Sequence, residues 1–377
     1  MRVMRPIYLD HNATTPVLPE VVEAVRRAEA EAFGNPSSAH AAGRKARQAL
    51  EDARERVAAR LGAYADEVTF TSGATEANNL AILGATASLA VASDLEHPCV
   101  IEPLRRREAR GVPLVYWPVD RRGVVRPEPL PGPALVCLTL ANHETGALQP
   151  VRQVAASLPP GSHLHCDAAQ AVGKVAVHFH ELGAHTLTAS AHKFGGPRGI
   201  GVLLTRRGTR LEPILFGGPQ QKGLRPGTEP VPLAVGLAVA LEQALDNLAD
   251  NRAKLQALRG RLWERLRQHA APVSLNGPAV GADDVVPTTL NVSFPGCRAD
   301  LLLVALDLVG VHCSTGSACA SGSVQPSPVL RAMGVPESDR RSALRFSFSP
   351  RVRPEELDEA ADRIATVVRR MRGHESF

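Results

Sequence analysis

The segment Phe70-Thr71-Ser72-Gly73-Ala74-Thr75-Glu76-Ala77 has the pattern of a strand, a turn of small residues and the start of a helix. The same order recurs outward from it. Short apolar runs at 134–140 and 186–189 alternate with stretches of helical spacing such as 19–33 and 39–61. Alternation of this kind predicts an α/β fold in which a mostly parallel sheet carries helices on both faces.

The pattern changes in the last third of the chain. A long helical stretch at 233–270, interrupted near 247–251, precedes strand-like runs at 288–294 and 344–348 and helix-like runs between and after them. A chain of 377 residues is long enough for one large domain with a smaller companion. We therefore predict a large domain over residues 16–258, a smaller α+β domain over 259–377, and an N-terminal segment over 1–15 that packs with the smaller domain.

Composition indicates an ordinary globular protein. Hydrophobic residues make up 44% of the chain, charged residues 21%, and the net charge is +5. The arginines are interleaved with Asp and Glu along helix-like segments, which favours solvated faces over a nucleic-acid patch, and aromatic residues reach only 4%. Residues 1–10 lack the apolar run of a signal peptide, and the longest apolar runs are too short to cross a bilayer. We expect a cytoplasmic protein without membrane or direct nucleic-acid contacts.

The cysteines do not suggest a metal or disulfide framework. No Cys-x-x-Cys pair occurs among the six cysteines, which lie at positions 99, 137, 166, 297, 313 and 319. Zinc ribbons and thioredoxin-like sites are therefore disfavoured, and no metal is expected. Most of these thiols are predicted to be small buried apolar groups, with Cys137, inside the apolar run at 134–140, as the example.

Lysine is rare in this chain, which makes each lysine informative. Only five occur, and Lys193 lies in the small-residue segment Ser190-Ala191-His192-Lys193-Phe194-Gly195-Gly196-Pro197, just after a predicted strand. A desolvated lysine has a lowered pKa and can act as an amine nucleophile. From the residues alone, an exposed loop lysine explains the pattern equally well.

Two further segments supply complementary groups. The helix start at Ala74 and Thr75 would offer exposed backbone amides and hydroxyls to a phosphate, although Ser and Thr cap many helices. Asp167, in His165-Cys166-Asp167-Ala168-Ala169-Gln170, follows a short apolar strand, where α/β sheets bind ligands. Such an acid could hold a pyridine nitrogen protonated, so the three segments together suggest pyridoxal 5′-phosphate as cofactor.

With these segments in this order, the chain resembles the cysteine desulfurases of the NifS/IscS type, class-V aminotransferases within the aspartate-aminotransferase-like PLP-dependent transferase fold (fold type I). The resemblance covers nearly the whole chain. It rests also on Leu9-Asp10-His11-Asn12-Ala13-Thr14-Thr15-Pro16, Phe33-Gly34-Asn35-Pro36-Ser37-Ser38, Glu96-His97, Arg225-Pro226-Gly227-Thr228 and Ser314-Thr315-Gly316-Ser317-Ala318-Cys319. Each motif is modest evidence alone, while their joint order and spacing are specific.

The resemblance implies a role for each matching residue. Lys193 would bind the cofactor covalently and move the Cα proton, His97 would stack on the pyridine ring and act as acid or base, and Cys319 would take the sulfur. The other implied cofactor contacts are Ala74, Thr75, His143, Asp167, Gln170, Ser190, His192 and, from a second subunit, Thr228. Arg345 would bind the substrate carboxylate, as a bidentate guanidinium does well, and Asn35 would lie near the substrate.

Position 143 departs from the family pattern, which usually has Asn where this chain has His in Asn142-His143-Glu144. An imidazole can still donate a hydrogen bond, but we expect its titration to add a pH dependence that an amide lacks.

Cys319 lies in a segment rich in Gly, Ser, Thr and Ala, which is easier to move than an apolar segment.

The implied activity is conversion of L-cysteine to L-alanine by a homodimer, with transfer of sulfur to a Cys319 persulfide. The implied partner is a sulfur-acceptor protein, such as an iron–sulfur scaffold or a tRNA-thiolation protein. Three alternatives remain open. A selenocysteine lyase shares this site, a plain aminotransferase would not need Cys319, and a catalytically silent protein of the same fold would not need Lys193.

Overall fold

A computed structural model describes residues 5–316 and 327–374 of the chain. It has the predicted α/β architecture. The strands are β1 (Ile7–Tyr8), β2 (Val68–Thr71), β3 (Ala90–Ala92), β4 (Leu114–Tyr116), β5 (Leu135–Thr139), β6 (His163–Asp167), β7 (Thr186–Ser190), β8 (Gly201–Thr205), β9 (Ser274–Asn276), β10 (Thr289–Ser293), β11 (Val311–His312) and β12 (Ala343–Ser347). The helices are α1 (Pro19–Glu31), α2 (Ala41–Leu61), α3 (Ala74–Gly84), α4 (Pro98–Glu108), α5 (Val151–Ser157), α6 (Phe179–Leu182), α7 (Val231–Asp246), α8 (Leu248–His269), α9 (Ala299–Leu308), α10 (Pro328–Ala332), α11 (Glu337–Arg340) and α12 (Pro354–His374).

Seven strands form the main sheet, in the order β2-β8-β7-β6-β5-β3-β4. Strand β8 runs antiparallel to both of its neighbours, and the other six strands share one direction. The prediction of a mostly parallel sheet is therefore confirmed. Because strands that share a direction end at the same edge, the segments that follow β2, β3, β5, β6 and β7 meet there.

Buried apolar side chains from both faces of this sheet form the main core. Helix α7 packs against α1 and α2 and buries Val231, Leu237 and Leu241 in that core. Among the described residues no single helix is both long and apolar enough to cross a membrane. Helices α7 and α8 meet that test of length and composition only when they are taken together, across a bend of 70°.

A second apolar core surrounds the antiparallel sheet β12-β10-β9. Helices α8, α9 and α12 contribute to it, and so do Ile7 and Leu9 of the N-terminal segment. Strand β1 pairs in parallel with β11, and Asp10 forms a bridge with Ser347. The predicted division after residue 258 falls inside α8, a helix that runs on without a break, and the domain limits stay a prediction.

Candidate active site

The predicted site residues follow the carboxyl ends of the parallel strands. Asp167 is the last residue of β6, and Ser190 is the last of β7. Lys193 ends the short 3₁₀ turn that follows β7. His97 caps the N-terminus of α4, after β3. Strand pairing between β6 and β7 sets Asp167 opposite Thr188, so the loop with Lys193 begins beside the carboxylate.

The turn between β2 and α3 has the shape of a phosphate site. Gly73 caps α3 with φ +154°, a conformation that a side chain would strain. A Cβ at Gly73 would lie 3.7 Å from Ser190 Oγ, so the two predicted phosphate-binding segments are neighbours. Ala74 is the first residue of α3, and Thr75 beside it is exposed. The amides of this eleven-residue helix start are thus available to an anion.

Asp167 is held firmly although it is charged and only 5% exposed. Its Oδ1 accepts a hydrogen bond from the Ala169 amide at 2.9 Å, and its Oδ2 accepts one from Asn78 Nδ2 at 2.8 Å. Asn78 lies on α3, one turn beyond Thr75. The helix that presents amides to a phosphate therefore also fixes the carboxylate meant for the pyridine nitrogen.

His97 is neutral in this setting. Burial lowers the pKa of His97, Asp167 raises it, and Lys193 and Arg345 lower it further. These charges act on His97 because all four groups lie close together. The Cys99 amide donates to His97 Nδ1 at 3.2 Å, so the ring proton of the neutral form is on Nε2.

Lys193 reaches the N-terminal segment. Its Nζ donates to the carbonyl oxygens of Asn12 and Ala13, at 2.6 and 3.0 Å. Gln170 binds the same segment, because its Nε2 donates to the Asn12 carbonyl at 2.9 Å. The predicted contact of Gln170 with the cofactor's phenolic oxygen stays a prediction.

Lys174 is a second lysine at this site, and it was not predicted from the sequence. It is buried, and its Nζ donates to Gln170 Oε1 at 2.5 Å and to Asn12 Oδ1 at 3.0 Å. Burial lowers its pKa well below the usual range, and the charge of Lys193 lowers it further. The signal was present in the sequence, since Lys174 lies among the small apolar residues Val172, Gly173 and Val175, as Lys193 does in its own segment.

His192 lies beside Lys193 in the turn after β7. Its Nδ1 is 3.2 Å from Thr14 Oγ1, and the Thr15 amide donates to its carbonyl oxygen at 3.1 Å. Burial and the neighbouring charge of Lys193 lower the pKa of His192 to about 4. Near neutral pH this ring is uncharged and offers a single N–H.

His143 is presented by a tight loop after β5. Asn142 Oδ1 accepts hydrogen bonds from the Glu144 and Thr145 amides, both at 2.9 Å, and this shapes the loop. The imidazole meets the His97 ring edge-on, with centroids 5.4 Å apart. Burial lowers the pKa of His143 well below 6.5, and the charges of Arg345 and Lys193 lower it further. The expected pH dependence at this position therefore lies below the neutral range, because the buried ring stays uncharged there.

Arg345 reaches the site from the other core. It is the middle residue of β12, is 3% exposed, and donates from Nη2 to Asp10 Oδ1 at 2.8 Å. Its Nη1 donates to the carbonyls of His143 and Gly316, at 3.0 and 3.4 Å. Gly316 is the last described residue before the segment that carries Cys319. Arg345 thus lies where the N-terminal segment, the His143 loop and Gly316 meet.

Two of the predicted site residues that the structure describes are not joined to this cluster. Asn35 is exposed, and its Oδ1 accepts from the Ser37 amide within its own loop. Thr228 is also exposed, in a segment that Arg225 ties to Glu76 at the start of α3. Cys319 lies outside the described residues, between Gly316 and Ser327.

Four of the described cysteines have thiols with a raised pKa. Cys137 and Cys166 are buried in strands, as predicted for Cys137, and burial raises the pKa of both thiols well above the usual range. Burial also raises the pKa of Cys99 to about 12 and that of Cys313 further still. Cys297 is buried in the second apolar core.

The cluster fits pyridoxal phosphate on the chemistry of its donor set. A glycine-capped helix start with Thr75 and Ser190 suits the phosphate, and the Asp167 carboxylate suits a protonated ring nitrogen. The neutral His97 ring suits stacking, and the Lys193 amine suits covalent attachment.

The chain is similar to known proteins in both sequence and fold. The family model described as aminotransferase class-V matches residues 7–359. A relative named "Cysteine desulfurase IscS", from Dictyoglomus turgidum, is 38% identical over 380 residues, which span 98% of this chain and 96% of the relative. A solved structure described as a NifS-like protein has a TM-score of 0.89 at 32% identity, over 97% of this chain and 99% of that one. Another, described as "SspA in complex with cysteine", has a TM-score of 0.79 at 32% identity, over 91% and 99%.

Members of this family depend on pyridoxal phosphate, which agrees with the donor set described above. The match extends over nearly the full length of both chains, so it covers both apolar cores and the strand ends that carry the site. The chain therefore belongs to the class-V aminotransferase family, among its cysteine desulfurases of the NifS/IscS type.

Proposed function

We propose that this protein is a cysteine desulfurase, which converts L-cysteine to L-alanine and takes the sulfur onto Cys319. The observation that carries the proposal is the convergence of four groups. Lys193, Asp167 and His97 come from the carboxyl edge of the main sheet, and Arg345 comes from the second sheet. The charges of Asp167, Lys193 and Arg345 all act on the His97 imidazole. The cysteine bound to a relative of the same fold supports the choice of substrate.

The residues of the main sheet would carry out proton transfer at Cα of the substrate. Pyridoxal phosphate, when bound, supplies an electron sink for the charge that develops there. Asp167 would hold the ring nitrogen protonated, and the neutral His97 ring would stack on the pyridine ring. Lys193 Nζ removes the proton from Cα and can return it, a task that suits an amine held against two backbone carbonyls.

Arg345 would bind the substrate carboxylate. A guanidinium offers two parallel N–H groups to a carboxylate, and burial strengthens that pairing. In this structure the guanidinium is oriented by Asp10 and by the carbonyl of His143. This orientation supports a clamp at the boundary between the two cores.

The Cys319 thiolate would then attack the sulfur of the bound cysteine. The new S–S bond forms as the C–S bond breaks, and the electron pair of that bond stays with carbon, which gains a proton and becomes the methyl group of alanine. The enzyme thiol is thereby converted to a persulfide. The raised pKa of Cys99, Cys137, Cys166 and Cys313 supports assignment of this step to Cys319.

Sulfur would leave the persulfide for a separate acceptor protein, and iron–sulfur scaffolds and tRNA-thiolation proteins are the proposed classes. A cytoplasmic location stays a prediction.

The proposal is tested by incubating the purified protein with L-cysteine and a reductant and measuring alanine and sulfide together. Equal amounts of the two products are expected, with no requirement for a keto acid. Pyruvate as the main product, or turnover only with a keto acid, would contradict it and favour a lyase or an aminotransferase. Rates on L-selenocysteine, measured in parallel, separate a desulfurase from a selenocysteine lyase.

We also propose a homodimer in which Thr228 completes the phosphate site of the partner subunit. Mixing inactive Lys193→Ala protein with weakened Thr228→Ala protein should restore activity, because one site of each mixed dimer then has both native residues. If Thr228 served the site of its own chain, mixing would restore nothing.

A further inference from the structure

A row of buried polar side chains leads away from Asp167. It passes through Asn78 on α3, His165 on β6 and Thr186 on β7, and ends at His163 at the start of β6. Asn78, His165 and Thr186 have no exposed surface. His163, His165 and Asp167 are alternate residues of one strand and therefore project from the same face of the sheet, the face where Asn78 is bound.

Every step in this row is a hydrogen bond of ordinary length. Asn78 Nδ2 lies 2.8 Å from Asp167 Oδ2, and Asn78 Oδ1 lies 2.9 Å from His165 Nε2. His165 Nδ1 is 2.9 Å from Thr186 Oγ1, and that oxygen is 2.9 Å from His163 Nε2. The row crosses from helix to sheet and between two strands without a gap.

The orientation of the Asn78 amide follows from its partners. An ionised carboxylate only accepts hydrogen bonds, so Asn78 must turn its NH₂ group to Asp167. The second amide hydrogen is directed to Cys99 Sγ, at 3.1 Å. Turning the amide over would put its oxygen against the carboxylate, so Asn78 Oδ1 has to accept from His165.

The directions of the remaining bonds follow in turn. Burial lowers the pKa of His165 to about 3 and that of His163 to about 4, so both rings are neutral near pH 7. A neutral imidazole donates from one nitrogen only. His165 therefore donates from Nε2 to Asn78 and accepts at Nδ1 from the Thr186 hydroxyl, which in turn accepts from His163 Nε2. Every donor in the row thus points toward Asp167.

We propose that Asn78, His165 and Thr186 are positioning residues of the cofactor site, which form a directed hydrogen-bond relay that fixes the Asp167 carboxylate and stabilises its charge. This inference deepens the proposed function and rests on it. A carboxylate held in this way keeps the ring nitrogen of bound pyridoxal phosphate protonated. His165 and Thr186 act through Asn78, which donates one amide hydrogen to Asp167 and directs the other to Cys99, the neighbour of His97.

The variants follow from the direction of the relay. His165→Phe removes both ring hydrogen bonds, and Thr186→Val removes the hydroxyl with little change of shape. His165→Gln keeps an N–H group close to the position of Nε2 and should rescue the relay. Thr205→Val is the matched control, because Thr205 pairs with Thr186 across β7 and β8 and its buried hydroxyl makes no hydrogen bond to any described residue.

The readout is the dissociation constant of the full-length apoprotein for pyridoxal phosphate and for its 1-deaza analogue, in which carbon replaces the ring nitrogen. His165→Phe should weaken binding of pyridoxal phosphate about 3- to 10-fold, the range for a hydrogen bond between neutral groups, and change binding of the analogue less than about 2-fold. Thr186→Val should show the same pattern with a smaller loss. His165→Gln and Thr205→Val should bind both compounds nearly as the parent protein does.

Equal losses for the two compounds would overturn the inference, because general damage to the fold does not distinguish nitrogen from carbon. A parent protein that binds both compounds equally would overturn it as well, since the ring nitrogen would then have no partner. Formation of alanine and sulfide by the same preparation is measured separately. A result that contradicts the relay therefore leaves the proposed function intact.

Discussion

The carboxyl edge of the main sheet and the middle of the second sheet both contribute to the site, but they hold their residues differently. Asp167 is held from nearby elements, by an amide two residues away and by a helix that packs on the same sheet. Arg345 is held by Asp10, which is 335 residues away in the chain, and by the carbonyl of His143, 202 residues away.

This difference assigns the two halves of the proposed reaction to different kinds of structure. The cofactor half depends on strand ends that any sheet of this topology brings together. The substrate half depends on long-range contacts among three segments, so it should be sensitive to changes that leave the cofactor bound. A variant that alters residues of one half should therefore leave the function of the other half unchanged.

The largest effect is expected for Lys193→Ala, which removes the amine of the cofactor half. Turnover should fall by about 10³-fold or more, because both covalent attachment and proton transfer at Cα are lost. Borohydride treatment followed by mass measurement should find no cofactor fixed to the chain. The exposed Lys254 gives the control, since Lys254→Ala removes a lysine without touching the site. Full fixation of the cofactor in Lys193→Ala would refute the assignment.

Cys319→Ser should separate the two halves most cleanly. A serine hydroxyl stays protonated near neutral pH and cannot replace a thiolate as the nucleophile. The variant should bind pyridoxal phosphate and L-cysteine like the parent protein, yet form no persulfide and release almost no sulfide. Absorbance changes on adding L-cysteine report the binding, and thiol labelling reports the persulfide. Cys297→Ser is the control and should keep its turnover, whereas sulfide release at the parental rate by Cys319→Ser would exclude Cys319 as the sulfur acceptor.

Arg345→Lys should damage the substrate half alone. An ammonium group cannot make the two parallel bonds of a guanidinium, so the KM for L-cysteine should rise about 10- to 100-fold while kcat changes less. Cofactor affinity should stay within about 2-fold of the parent value on the argument that Arg345 binds substrate rather than cofactor. Asp10→Asn is the companion variant, because it removes the charge that orients the guanidinium and leaves Arg345 in place. A fall in kcat with an unchanged KM in Arg345→Lys would argue against a substrate clamp.

The same contrast explains what could be predicted from the sequence. The strand, turn and helix around Gly73 were predicted correctly, and so was the mostly parallel sheet, because each follows from local patterns of apolar residues. The reversed direction of β8 was not predicted, since a five-residue apolar strand has the same pattern in either direction. Strands β1 and β11 are two residues long and depend wholly on their pairing with each other.

The site residues show the same contrast between local sequence patterns and long-range contacts. Asp167 and Lys193 were singled out because each comes at or just after the end of a short strand, and their roles stay predictions. The pairing of Arg345 with Asp10 was not found, since nothing local links two residues so far apart. Asn78 and His165 were also missed, because a polar residue inside an apolar stretch gives no sign of the partner it binds.

Glu144 lies between the two regions and should give the smallest effect on turnover, because its carboxyl acts on stability. Its Oε2 accepts from Ser327 Oγ at 2.6 Å and would lie 2.6 Å from a Cβ at Gly316, so the carboxyl contacts both described ends of the Cys319 segment. Burial raises the pKa of Glu144 from 4.5 to about 7, while the bond from Ser327 and the charge of Arg345 lower it.

A raised pKa means that the folded protein binds this proton more tightly than the unfolded chain does. The stability it contributes is complete below pH 4.5 and is lost as the pH rises through about 7. At about 1.4 kcal/mol per pH unit, the loss is roughly 3 kcal/mol at most. Glu144→Gln is neutral at every pH, so its melting temperature should lack this decline and exceed that of the parent protein above pH 7. Thermal melts of both proteins from pH 5 to 8.5 measure the difference, and parallel curves over that range would show that Glu144 does not titrate there. Cofactor affinity is measured on both proteins at each pH as well, because Glu144 Oε1 also lies 3.7 Å from Nε2 of His143, a predicted cofactor contact.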